Sequence, residues 1–509
     1  MPAARQPSRL LTFVKRLLAV QPLSRVRPEE EGQPTLRRAL GVPALIGIGL
    51  GTMLGGIFTT MGSGALAAGP GVIFAFVLSG AACVFVALCY AEFASMVPVA
   101  GSAYTYAYAT LGELVAWVIG WDLILEYGIS AAPVASSLSG SLQDGLAFFG
   151  LKLPSWATTA NLATSWVPAN LGPVHFGLLH IDLAASQYDI IAALSVVAIS
   201  ILLAIGIRES AFVNSAFVWV QLGAFVLFFV VLAHGIKVQN FTPFLPRGFH
   251  AVVQSAALVF FAYIGFDTVT VASEESRNPQ RDVPRAVIGS LAIGGILYIL
   301  IAIFTIGVVP WQHMDAQSAM TQAMRAVTSN GIVIFAFTLG AVLGTTAVMV
   351  TSLLGQTRIF YVMARDRMLP PVFAAVHPRF RTPARMTIIT GVIVAFLALI
   401  VPLEKLLELV NIGTLSAFVI VSAGVFVLRF VAPHAHRPFK APFGLGMATL
   451  GFLSCLWMMS ALPMATWIRF IVWFAAGVVI YLLYGYRHSL LRNDGSSQQA
   501  ASTAPVEPA

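Results

Sequence analysis

Long apolar runs separated by short polar segments organise this chain of 509 residues. A run of about 20 apolar residues is the length that crosses a bilayer as a helix. Twelve such runs stand out, at about 42–68, 72–97, 114–139, 189–207, 212–233, 251–273, 286–309, 331–355, 386–403, 411–431, 447–463 and 467–485. The pattern predicts an all-α polytopic membrane protein of about 12 transmembrane helices. Its regions are a cytoplasmic N-terminal segment (1–40), a transmembrane domain (41–486) and a disordered cytoplasmic tail (487–509) rich in Ser, Gln, Ala and Pro. The longest polar stretch, Gly140–Gln187, reads as a loop covering the outer face. Trp311–Asn330 is too polar to span and reads as a short surface helix.

The first span is unusual. Gly47, Gly49, Gly51, Gly55 and Gly56 fall within ten residues, and each glycine costs a helix interior about 1 kcal/mol relative to Ala. A broken helix is tolerated in hydrocarbon only where its freed backbone groups face protein or a water-filled cavity. Two explanations fit: a discontinuous helix whose N–H groups hold an anionic ligand group, or close helix packing through Gly51-x-x-x-Gly55. The sixth span repeats the theme, placing Gly265 and Asp267 in the otherwise apolar run Phe260–Asp267. Interruptions in spans one and six suggest a five-plus-five inverted repeat with a binding site between the breaks. Spans eleven and twelve lie outside it.

Composition and charge narrow the class. Residues are 58% hydrophobic and 10% charged, against about 25% charged in a soluble domain. The net charge of +8 does not indicate nucleic-acid binding, because the basic residues sit in short loops. With the N-terminus inside, only Lys152, Lys237, Arg247, Arg325, Lys405 and Arg469 of the 29 Lys and Arg fall outside. By the positive-inside rule both termini are cytoplasmic, in a multi-pass protein of the cell membrane. Residues 1–33 lack the clean apolar core and cleavage site of a signal peptide. Ser8–Val20 reads as either an amphipathic surface helix or part of a disordered tail. Cys83, Cys89 and Cys455 lie in apolar segments without metal or disulfide spacing.

Ionisable residues inside spans are costly and usually face the bundle interior or a cavity. Glu92, near the inner end of span two, reads as an interface contact. Asp122 and Glu126 lie four apart and share a helix face. Glu126 falls near mid-membrane, with no Lys or Arg at its depth. It is therefore protonated or faces polar groups or a cationic substrate. Asp267 follows the second break and is a candidate proton carrier, backbone cap or ligand contact. Gln221 is the strongly polar side chain of span five, suited either to joining helices or to touching a ligand. No HExxH, GxSxG or CxxC is present, so an enzyme is a weak reading, and no cofactor or metal site is expected.

Several stretches have a specific likeness. Cys89–Tyr106 with Gly120–Tyr127, Glu274–Pro284, Gly355–Pro370 and Arg437-Pro438-Phe439 resemble the amino acid–polyamine–organocation superfamily, and most of all its cationic amino acid transporter branch. The resemblance runs from about Leu36 to Tyr486. It implies a LeuT-like fold with substrate held between discontinuous helices one and six. By that resemblance a substrate carboxylate would meet N–H groups around Gly55, Gly56 and Ile57. The ammonium would meet carbonyls near Met53, Phe261, Ala262 and Ile264. Phe261 would close over the substrate as an aromatic gate, and Thr345 and Thr346 would approach the pocket from span eight. Two departures accompany it. The first break, Gly51–Phe58, is one residue shorter than the branch pattern, and Gln221 stands where many relatives carry lysine.

The resulting expectation is secondary active transport of amino acids by alternating access, coupled to protons through Asp267 and Glu126, with Gln221 a third coupling candidate. An uncoupled amino acid or polyamine exchanger is the rival, and a non-transporting amino-acid sensor the weaker third. Expected partners are the amino acid, protons and the lipid bilayer. The substrate class, cationic or small and neutral, stays open, as does any accessory subunit.

Overall fold

The computed structural model describes residues 40–96, 104, 107–108, 111–151, 153–171, 174–206, 211–271, 276–378, 380, 382–431, 433–434 and 437–489. The expected amphipathic segment Ser8–Val20, the C-terminal tail from residue 490 and parts of the family-like stretches, including 97–103 and 272–275, lie outside the described residues.

The first span is two helices, α1 (Val42–Met53) and α2 (Gly56–Ala68), interrupted at Leu54 and Gly55. Pro43 at the start of α1 has its ring where a helix has no hydrogen-bond use for the N–H. A 3-10 turn, Gly69–Gly71, leads into α3 (Val72–Met96). α4 (Glu113–Phe148) is followed by a hairpin, β1 (Asn161–Leu171) and β2 (Val174–Gln187). Then come α5 (Ile190–Ile205) and α6 (Ala211–Leu232). The sixth span breaks as expected: α7 (Gly248–Val259), a 3-10 turn (Phe260–Tyr263), an irregular stretch, and a single turn, α8 (Thr268–Val271). The rest is α9 (Pro279–Val308), α10 (Ala319–Val327), α11 (Gly331–Arg365), α12 (Ala384–Ile400), α13 (Leu403–Val431), α14 (Leu445–Ser460) and α15 (Met464–Ile480).

Among the described residues, 7 helical stretches are long and apolar enough to cross a membrane, accompanied by shorter apolar helices of 10–17 residues. The architecture is that of a polytopic helical membrane protein. Two expectations need correction. The stretch Gly140–Gln187 is more than a loop: α4 continues to Phe148, and Asn161–Leu171 pairs antiparallel with Val174–Gln187, with Val167 opposite Leu178. Thr, Trp, Val, Ile and Phe favour a pleated backbone, a signal hidden by reading the segment for polarity alone. α11 likewise runs ten residues past the expected end of span eight, carrying the Gly355–Tyr361 stretch inside a helix. Trp311–Asn330 does hold a short helix, α10, with one face buried.

Two polar junctions hold the ends of the bundle. At the basic-rich end, Glu92 of α3 pairs with Arg429 of α13 and with Arg437 (3.3 Å), and accepts the Ala441 N–H at 2.9 Å. Glu92 is thus the interface contact that its position suggested. At the opposite end, Asp189 caps α5 by accepting the Ala192 N–H at 3.0 Å. It also accepts the Ser139 hydroxyl of α4 (2.6 Å) and the Gln317 amide (3.3 Å), so one buried carboxylate joins three segments.

Asp189→Ala is expected to destabilise the protein by about 1–3 kcal/mol, because the Ser139 hydroxyl and the Ala192 N–H lose their acceptor. An unchanged thermal transition in detergent would refute this role.

Candidate functional site

The two helix breaks face each other, and a small cavity opens beside them. Thr52 and Gly56 line it from the first break, and Phe261, Ile264, Gly265 and Thr268 from the second. Glu126, Tyr127 and Ser130 of α4 and Val348, Thr351 and Ser352 of α11 complete the wall.

The break in α7–α8 has a local cause. Ile264 is extended (φ −62°, ψ 134°) and Gly265 takes φ 120°, a region that L side chains rarely adopt. A Cβ on Gly265 would also lie 2.7 Å from Thr52 Oγ1. Glycine is needed there twice, for conformation and for contact with the first break. At that first break a Cβ on Gly55 would lie 2.5 Å from the Gly344 carbonyl oxygen, so this glycine permits close packing against α11.

Side chains from neighbouring helices satisfy the carbonyls that the breaks release. The Tyr298 hydroxyl of α9 lies 2.7 Å from Met53 O and 2.8 Å from Ala262 O, so one donor serves both breaks. Thr52 Oγ1 donates within 2.9 Å of Gly265 O and contacts Thr268 Oγ1 at 3.0 Å. Asn411 of α13 donates its amide to Ala257 O (2.7 Å) and Leu258 O (2.9 Å), the last carbonyls of α7 before its 3-10 turn. Gly265 O also accepts the Thr268 N–H at 3.1 Å and the Thr268 hydroxyl at 2.5 Å. A buried carbonyl left without any donor would cost about 1–3 kcal/mol.

The carboxylates divide by role. Asp122 is buried and accepts the Ser416 hydroxyl at 2.5 Å, joining α4 to α13 away from the cavity. Asp267 accepts the Tyr127 hydroxyl at 2.7 Å, so α4 is linked directly to the second break. Glu126 lines the cavity at 1% exposure, yet neither of its oxygens has a hydrogen-bond partner among the described residues. The hydroxyl of neighbouring Thr414 is committed to Val410 O at 3.2 Å. An ionised, unpaired carboxylate in such surroundings is strongly unfavourable. Glu126 therefore holds a proton or waits for a cation.

Of the residues expected at the site, Gly56, Phe261, Ile264 and Glu126 line the cavity. Met53, Gly55, Ile57 and Ala262 are buried beside the breaks without lining it. The Met53 and Ala262 carbonyls, expected to hold an ammonium, already face Tyr298. Thr345 is buried with its hydroxyl donated to Ala341 O at 2.8 Å, and Thr346 donates to Val342 O. The α11 wall is instead Val348, Thr351 and Ser352, further along the helix. Gln221 is buried against Gly344, where a Cβ would lie 2.3 Å from its Nε2, and it does not line the cavity. Sequence reasoning missed Tyr298, Thr52, Tyr127, Ser352 and Asn411. A buried tyrosine or asparagine in an apolar run signals a polar contact, but only the fold shows with what.

A helical membrane protein with a small buried cavity between two interrupted helices has the form of a solute carrier. The chain matches the amino acid permease family over residues 40–484 and belongs to it. It is 42% identical over 465 residues to the branched-chain amino acid permease BcaP of Bacillus subtilis (strain 168), covering 90% of this chain and 96% of that protein. It is 38% identical over 477 residues to the methylthioribose transporter of the same organism, covering 93% and 99%. Cationic amino acid transporter 4 of Homo sapiens is 35% identical over 422 residues, or 81% of this chain and 63% of the human protein. The relatives are named as transporters and permeases.

Removing the shared donor tests the link between the breaks. Tyr298→Phe is expected to destabilise the ligand-free protein by about 1–3 kcal/mol, by leaving Met53 O and Ala262 O without it. Thermal unfolding in detergent measures this; an unchanged transition would mean that the carbonyls are served otherwise.

Proposed function

We propose that this protein is a secondary transporter that moves amino acids across the cell membrane by alternating access, coupled to protons. The observation that carries the reading is the cavity between the two breaks with the unpartnered Glu126 carboxylate in its wall. A zwitterion has two ends to satisfy. The start of α2 at Gly56 offers helix N–H groups and the positive end of a helix dipole to a carboxylate. Glu126 and the carbonyls around Phe261 offer acceptors to an ammonium. Phe261, Ile264 and Val348 form an apolar wall suited to an aliphatic side chain. The name of the 42% identical relative, a branched-chain permease, supports that choice.

In this reading twelve helices cross the membrane, the first ten as a five-plus-five inverted repeat, with both termini cytoplasmic. The Tyr127–Asp267 hydrogen bond ties α4 to the second break, just before α8 and on the inner side of the substrate in this reading. Protonation of Asp267 would remove the charge that this bond serves and so loosen the inner closure. Glu126 exchanges its proton for the substrate ammonium, which couples occupancy to proton movement. A second reading is uncoupled exchange. It is favoured by Gln221, a neutral side chain packed on Gly344 beside the first break.

Proteoliposomes loaded with the purified protein test both. Labelled leucine is expected to accumulate faster with an inward proton gradient than without, and arginine more slowly than leucine. Uptake indifferent to the gradient but driven by internal amino acid would establish exchange instead, and arginine ahead of leucine would assign Glu126 to a cationic side chain. Measurable binding with no uptake would sink the transporter reading. Asp267→Asn is expected to reduce gradient-driven uptake more than Asp122→Asn, because Asp122 is spent on Ser416 outside the cavity; the reverse order would overturn this assignment.

A further inference from the structure

Among the described residues only two other than glycine take a positive φ, Arg367 (58°) and Phe443 (55°). Arg367 closes the end of α11, donating its N–H to Ala364 O at 3.0 Å, an ordinary helix-stop geometry. Phe443 ends no helix; its carbonyl accepts the Gly446 N–H at 3.1 Å at the start of α14. A bulky residue held in the left-handed region costs of order 1–3 kcal/mol and persists only when its surroundings over-determine it. Its own side chain contributes little to the hold, because Phe443 is 86% exposed.

The hold comes from beneath. Ala441 N–H is fixed to Glu92 Oε2 at 2.9 Å, and Phe439 N–H donates to Ser95 Oγ at 3.2 Å. Arg429, paired with Glu92, packs under Gly444, where a Cβ would lie 2.8 Å from its Nη1. The turn between α13 and α14 is therefore bolted to the ends of α3 and α13. It presents Phe443 outward on a rigid mount, with exposed Lys440 and Pro442 beside it. Phe430 (63% exposed) and Val431 (74%) end α13 beside this turn, and exposed Leu445 begins α14. The apolar surface runs on into the outward faces of these two helices through Phe426, Val427 and Leu450.

We propose that the α13–α14 turn is a lipid-interface anchor: Phe443 inserts at the headgroup–acyl boundary of the leaflet at the basic-rich end, and Lys440 meets anionic headgroups there. Three observations select a lipid surface as the occupant. The patch is continuous with helix faces that only hydrocarbon would cover. Its polar accompaniment is cationic, the charge that anionic lipid attracts. An aromatic ring flanked by a cation at a helix end matches the chemistry of the membrane–water boundary. The anchor would fix the α13–α14 hairpin, and through Glu92 the end of α3, at a set depth in the bilayer.

The full-length protein can report this directly. Cys83, Cys89 and Cys455 are buried, so Phe443→Cys accepts a nitroxide label selectively. In vesicles of mixed phosphatidylglycerol and phosphatidylcholine, the label is expected to collide with oxygen several-fold more often than with a water-soluble nickel chelate. A label as open to the chelate as one placed at the exposed His434 would overturn the insertion, and a label shielded from both relaxants would assign the patch to a protein partner. Phe443→Gly separates anchor from strain, because glycine accepts a positive φ without penalty. It is expected to melt no lower than the parent in lipid-free micelles but lower in anionic vesicles; equal losses in both would place Phe443 in internal packing and refute the proposal. Lys440→Ala is expected to reduce the extra stability conferred by phosphatidylglycerol over phosphatidylcholine, and an undiminished gain would refute the headgroup contact.

Discussion

Everything at the centre of this protein follows from the need to give a partner to each backbone polar group that an interrupted helix releases. In water the solvent would supply those partners. Between apolar helices other side chains must, and the cost of omission is about 1–3 kcal/mol per group. Tyr298, Thr52 and Asn411 meet that need, each from a residue distant in sequence from the carbonyl it serves. The result is a rigid double break with one face left open to a cavity.

That economy explains why the carboxylates differ. Asp122 and Asp267 each accept a hydroxyl, from Ser416 and Tyr127, and so tie α4 to its neighbours. Glu126 shares a helix with Asp122, one turn away, yet its oxygens have no hydrogen-bond partner among the described residues. Asp122 and Asp267 each leave one oxygen without a partner there, whereas Glu126 leaves both. The contrast between two acids on one helix face points to Glu126 as the group whose partner arrives and departs. The junctions at the two ends complete the picture. Glu92 and Asp189 are each satisfied by several donors and lock the bundle where no ligand needs to bind.

Much of this was legible in the sequence. The breaks announced themselves as glycines inside apolar runs, and both occur where expected. Glu126 drew attention as a mid-membrane acid without a basic partner, and Glu92 as an interface residue. What could not be read was register. Thr345 and Val348 lie three apart on one helix, and only Val348 lines the cavity. No local pattern distinguishes a threonine that faces a ligand from one that bonds its own helix. The hairpin after α4 was missed because its polar residues mask an alternating β-prone segment.

By itself, then, the sequence determined the medium, the helices and the places where helices fail, because these depend on local hydropathy and on glycine's conformational entropy. The tertiary structure decided which freed carbonyl meets which donor, which acid is left without a partner, and which residues of α11 face the opening. Those outcomes depend on contacts between segments up to hundreds of residues apart, such as Tyr298 with Met53 and Thr52 with Gly265. Packing geometry alone fixes such pairings, since neither residue of a pair carries information about the other in its own neighbourhood.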